Sequence, residues 1–210
     1  MYTPASFVEN DLSILHSCIE ENSFATLVTT DAEGSVVSHL PLLLDRKAGP
    51  NGKLIGHMAK ANPQWREITN GDVLAIFHGP HAYVSPGWLK ERNVVPTWNY
   101  VAVHATGKVK LVEEPSKLLD IVRRYVDHYE SAMSEPWELD SVEPDFTESL
   151  LNAIVGFTIE IESIEGKWKL NQNHSKERRQ KIIDGLQARP DDNSAQIADL
   201  MRATFDVANS

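Results

Sequence analysis

Six to eight short runs of strand-forming residues lie along this chain, and most follow one another with no helix between them. That order constrains the fold more than any other feature. Strands that succeed one another pair as antiparallel neighbours, whereas a parallel sheet needs a crossover helix between each pair. The runs are Phe24–Thr30, Ser35–Leu44, Lys53–Met58, Asp72–Phe77, His81–Ser85, Thr97–Val103, Ala105–Val112 and Ile154–Ile164. In the last, Phe157, Ile159 and Ile161 alternate with Thr158, Glu160 and Glu162, the period of a half-buried strand. Helical spacing falls at the start, middle and end of the chain: Asp11–Glu20 with Asp11 as cap, Pro115–Glu130, Phe146–Leu151, Ser175–Gln187 capped by Ser175, and Ser194–Phe205. The expected class is α+β, a mostly antiparallel barrel with peripheral helices.

Three punctuation marks refine this reading. Asp31-Ala32-Glu33-Gly34 has turn chemistry and joins the first two runs as a hairpin. Pro41 cannot donate to a ladder, so its strand is bulged there or lies at an edge, with free backbone groups beside Ser38 and His39. His78-Gly79-Pro80-His81 reads as a loop between two strands, and Gly107 as a bulge between two others.

The stretch Gly56-His57-Met58-Ala59-Lys60-Ala61-Asn62-Pro63-Gln64-Trp65 reads as the end of a strand entering a helix, with Asn62 as N-cap and Pro63 at the first helical position. Lys60 and the free N–H groups of that first turn form either a seat for a phosphate or carboxylate, or an ordinary capped helix beside a solvated lysine. Trp98 beside Asn99 offers a stacking face and a hydrogen-bonding edge to a flat heterocycle, or is simply core.

Composition excludes several classes. A net charge of -10 argues against non-specific binding to nucleic acid or an anionic membrane surface. The single cysteine, Cys18, leaves no intrachain disulfide and suits a reducing cytoplasm. The N-terminal residues show neither a basic start nor an apolar run, so no secretory leader is expected, and no apolar segment approaches the ~20 residues of a membrane helix. His78 and His81 lack the partners of a metal site, and HExxH, GxSxG, GxGxxG and P-loop patterns do not occur. The last two helices have a helix-turn-helix outline, yet the second carries one Arg and is a poor recognition helix.

Several runs taken together resemble the PaiB-type FMN-binding negative transcriptional regulators. They are Met1-Tyr2-Thr3-Pro4 with Phe7; Ser38-His39-Leu40-Pro41-Leu42-Leu43; the Gly56–Trp65 stretch; Phe77 through Pro86; Val95-Pro96-Thr97-Trp98-Asn99-Tyr100; and Ile154–Phe157 through Gly166–Asn173. Asn171 stands where a serine is expected, and His78 where glutamine is. The resemblance implies the flavin split barrel of the pyridoxamine-phosphate oxidases over residues 1–189; the tail at 190–210, helical by its own spacing, lies outside the match. It implies a homodimer with FMN at the interface. The isoalloxazine would lie against Ser38, His39, Leu40 and Pro41, with His57 facing the ring. Lys60, Asn62 and Gln64 would hold the phosphate, while Trp98, Asn99, Lys167, Lys169, Gln172 and Asn173 would close the site. The function implied is repression of protease or sporulation genes, through DNA or a regulatory protein partner. The fold also serves flavin oxidoreductases that act on a small molecule with a nicotinamide donor, and haem-binding relatives.

Overall fold

A computed structural model describes residues 1–30, 34–68 and 71–207. Eight strands, β1 (Val8–Glu9), β2 (Phe24–Thr30), β3 (Ser35–Pro41), β4 (Leu43–Asp45), β5 (Lys53–Ala59), β6 (Asp72–Val84), β7 (Thr97–Val112) and β8 (Ile154–Lys169), form a sheet ordered β3-β2-β6-β7-β8-β5-β4, with β1 beside β8. The β1–β8, β2–β3, β2–β6, β4–β5 and β5–β8 pairs are all antiparallel. The helices are α1 (Leu12–Glu21), α2 (Gln64–Glu67), α3 (Pro115–Glu130), α4 (Pro144–Asn152), α5 (Lys176–Gln187) and α6 (Asp192–Val207). The α+β, antiparallel expectation therefore holds.

The chain divides into two units. One comprises Met1–Glu21, His78–His104 and Glu165–Ser210, the other Asn22–Phe77 and Ala105–Ile164. In the first unit, α1 starts where Asp11 Oδ1 accepts from the N–H groups of Ser13 (2.8 Å) and Ile14 (3.3 Å), as its sequence dictates. Ser175 Oγ likewise accepts from Arg178 N at the start of α5. Asp191 caps α6 through Ser194 N, a role hidden inside what reads as a chain-breaking RPDD run. α5 and α6 bury Ile182, Ile183, Leu186, Ile197 and Met201 with Ala82 and Val84 of β6 and Leu170 just past the end of β8.

In the second unit, β2 and β3 form the expected hairpin, in register from Phe24↔Pro41 to Thr30↔Ser35. The Asp31-Ala32-Glu33 turn lies outside the described residues. Pro41 ends an edge strand, which satisfies the edge alternative. The run read as one strand, Ser35–Leu44, changes partner here: Leu42 N donates to Ser23 O at 2.8 Å, and Leu43 pairs onward with Ile55 of β5. Two further expectations are corrected. The supposed loop at His78–His81 is the middle of the 13-residue β6. β2 pairs with β6 at Leu74–Ile76, short of Pro80, so the missing N–H breaks no bond of that pair. Gly107 is not a break between two strands but lies within the continuous β7, where a Cβ would fall on the carbonyl oxygen of Glu160 in β8.

Candidate functional site

The second unit gathers Ser38, His39, Leu40, Pro41, His57, Lys60, Asn62 and Gln64 on β3, β5 and the β5–α2 junction. The junction is built by its own sequence. Asn62 N donates to Ala59 O (2.9 Å), Lys60 N to Ala153 O (2.9 Å), and the Trp65 indole to Lys60 O (3.0 Å). Asn62 Oδ1 accepts from Gln64 N at 3.0 Å, a turn that leads into the helix, but the N-cap position falls on Pro63, one residue later than expected, and no side chain caps it. The helix it opens is only four residues long, so its dipole adds little, and the local charge is that of Lys60. Lys60 is exposed and has no carboxylate within ion-pair distance among the described residues.

Asn62 Nδ2 donates to Ser38 Oγ at 2.8 Å, which fastens the junction to β3. Gln64 is turned inward and only 1% exposed. Its Nε2 reaches Thr29 Oγ1 (3.1 Å) and Val36 O (3.1 Å), with Leu27 O at 3.4 Å, so it pins the junction to the hairpin. Its Oε1 has no partner. On the exposed edge strand, His39 Nδ1 and Thr26 Oγ1 share a hydrogen bond at 3.1 Å, while Leu40 is buried and Pro41 half-buried.

His57 is half-buried, and its Nδ1 has no hydrogen-bond partner. Burial holds its pKa below that of an ordinary imidazole, which favours the neutral ring. It meets Tyr125 edge-on, with ring centroids 4.8 Å apart at 74°. Tyr125 is a residue that the sequence does not single out. From α3 its hydroxyl donates to Pro41 O (2.7 Å) and Ile55 O (2.9 Å), joining the end of β3 to the strand that carries His57. The available signal was a tyrosine on a buried helical stripe, where a phenol must find an acceptor.

The remaining candidates lie in the first unit. Trp98 is 51% exposed and flanked by His81 (6.2 Å) and Tyr83 (6.0 Å). Asn99 is fully buried, with Nδ2 on Met201 Sδ (3.3 Å) and Oδ1 unpartnered. Lys167 is buried; its Nζ donates to Tyr2 O (2.9 Å) and lies over the rings of Tyr100 (5.2 Å) and Tyr2 (5.7 Å). Lys169 Nζ donates to Thr97 Oγ1 at 2.7 Å. Gln172 is committed to its own backbone, accepting from Leu170 N (2.8 Å) and donating to Trp168 O (2.6 Å). Asn173 is exposed.

An edge strand, a lysine with no carboxylate partner among the described residues and an orphaned imidazole nitrogen form a set suited to an anionic, planar heterocycle. Residues 1–163 match the sequence model of the family described as "Putative FMN-binding domain". This chain belongs to that family. FMN is the family's cofactor, and the orphaned His57 Nδ1 and unpaired Lys60 fit a ligand that combines a hydrogen-bonding ring with a phosphate.

Relatives in the family include the Bacillus subtilis (strain 168) "Protease synthase and sporulation protein PAI 2", 38% identical over 96% of each chain. An uncharacterized protein of Emericella nidulans is 30% identical, again over 96% of each. Among solved structures, the flavocytochrome Anf3 from Azotobacter vinelandii superposes with a TM-score of 0.59 at 13% identity, covering 77% of this chain and 69% of that one. An FAD and heme binding protein from Mycobacterium smegmatis gives 0.54 at 12%, covering 82% and 78%. The fold is a mostly antiparallel split β-barrel with peripheral helices. No helix among the described residues is long and apolar enough to cross a membrane.

Proposed function

We propose that this protein is a cytoplasmic, homodimeric, FMN-binding negative regulator of protease or sporulation-type genes. The observation that carries the reading is the 38% identity, across 96% of both chains, to the Bacillus protein named for those processes. Within the second unit, Lys60 and the linked Ser38–Asn62 pair hold the FMN phosphate. Ser38, His39, Leu40 and Pro41 present the edge of β3 to the ring, and His57 Nδ1 takes up a polar atom of it. Gln64 positions the junction from behind, through Thr29 and Val36. Trp98 of the partner subunit covers the flavin. Bound flavin supplies one- and two-electron redox chemistry.

Repression works through a protein partner rather than through DNA. The net charge of -10 opposes duplex approach, and the α6 sequence has Arg202 against Asp192, Asp199 and Asp206. Deleting the gene in its host and measuring transcripts tests the role. Protease or sporulation transcripts should rise, and unchanged transcripts would overturn it. A sequence-specific mobility shift of promoter DNA by the pure protein would contradict the indirect route.

A further inference from the structure

The first unit contains a cleft of about 340 Å³, and two of its residues, Lys169 and Asn173, are ones that the family resemblance places around the flavin. Phe7, Leu89, Val94 and Val95 form its apolar wall, and Thr97, Lys169, Asn171, Asn173, His174 and Arg178 are among its polar residues. We propose that this cleft binds a small organic monocarboxylate, with the carboxylate on Lys169 and an apolar body against Phe7, Val94 and Val95.

Four observations carry this. No carboxylate lines the cleft. Of its two permanent cations, Arg178 is spent on Glu91, 2.7 Å away, whereas Lys169 donates to the neutral Thr97 hydroxyl, lies 6.0 Å from the centre of the Tyr100 ring and has no acidic partner among the described residues. His174 lies beside Arg178, Nδ1 to NH1 at 3.3 Å, and burial keeps its ring on the neutral side of ordinary histidine. The lining therefore offers one unbalanced positive charge. That matches a monoanion better than a phosphate dianion, and an apolar wall has no use for a bare inorganic ion.

The amides are placed for the same ligand. Asn171 is 5% exposed, and its Oδ1 has no hydrogen-bond partner. Its amide lines the same cleft as Lys169 and Asn173. Both Asn171 (φ 59°) and Asn93 (φ 61°), another lining residue, hold left-handed backbone. The volume is at the lower end of the ~300–1,000 Å³ of small-molecule pockets. That is room for a short aryl or branched-chain acid.

The test is calorimetric titration of the full chain with 3-phenylpropionate, with its neutral amide and with inorganic phosphate, once with FMN added and once without. The acid should bind with a Kd in the millimolar range or below, and its amide and phosphate at least about tenfold more weakly. Lys169→Met should weaken the acid about tenfold or more, Lys169→Arg should restore most of it, and Asn171→Asp, which keeps the left-handed tolerance but adds a negative charge, should abolish it. Circular dichroism checks that each variant is folded. No heat with the acid, equal affinity for acid and amide, or unchanged affinity in folded Lys169→Met would each overturn the proposal. The paired titrations separate this cleft from the flavin site: affinity for the acid that FMN leaves unchanged is the expected result, and displacement of the acid by FMN would overturn the proposal of a separate site.

Discussion

Replacing Tyr125 with phenylalanine removes one oxygen atom and leaves the ring in place. The edge-on contact with His57 and the apolar packing against Leu43, Ile55 and Ile121 should survive. What is lost is the hydroxyl that serves Pro41 O at 2.7 Å and the buried Ile55 O at 2.9 Å. Its one proton is shared between two carbonyls, so its loss leaves at least one buried acceptor under-satisfied, costing about 1–3 kcal/mol. For a chain of this size that is a fall in Tm of roughly 2–4 °C per kcal/mol. Urea denaturation followed by tryptophan fluorescence and circular dichroism gives the free energy directly, with the slope unchanged. The pH dependence adds a second signature. Burial raises the phenol's pKa above the ordinary ~10, so the neutral form is the one the fold prefers. Its contribution is complete below the ordinary value and is lost as pH rises through the higher folded value, a decline that Tyr125→Phe should lack. A cost under about 0.5 kcal/mol, within the range of surface substitutions, would refute the bridge between β3 and β5.

Lys60→Ala should weaken FMN binding about tenfold or more, read by equilibrium dialysis at low salt, and unchanged affinity would remove Lys60 from the phosphate site. Gly107→Ala should be among the most destabilising single changes in the protein, because the added carbon meets the Glu160 carbonyl rather than a side chain that can yield; a Tm within a degree or so of wild type would contradict the close approach of β7 and β8. His57 has a lowered pKa, so the neutral imidazole contributes stability that is present above the ordinary ~6.5 and lost as pH falls through the lower folded value. His57→Gln should therefore flatten part of the acid limb of a stability–pH curve, and an unchanged limb would show that the ring is not constrained as described.

Much of this was legible because local chemistry and tertiary packing agreed. Asp11 and Ser175 cap where their sequence positions demand, and Pro41 marks the strand edge. The errors have a common cause. Gly79-Pro80 and Gly107 are breakers by local rule, yet each sits inside a long strand. At Gly107 the close approach of a neighbouring strand, not a turn, requires the missing side chain. Gln64 is equally opaque: a long polar side chain aimed at solvent and one turned onto Thr29 and Val36 look the same in sequence. Tyr125 reaches acceptors 70 and 84 residues away, and no local pattern encodes such a bridge. The cleft around Lys169 depends on segments 7, 89–97 and 169–178 meeting, which only the fold reveals.

The most direct test of the central claim is the visible absorbance spectrum of the purified protein, taken before and after FMN is added and followed through gel filtration. Flavin bands that travel with the protein, and that weaken in Lys60→Ala, are the predicted result. A colourless protein that ignores FMN at every concentration tried would contradict the account of the β3–β5 site.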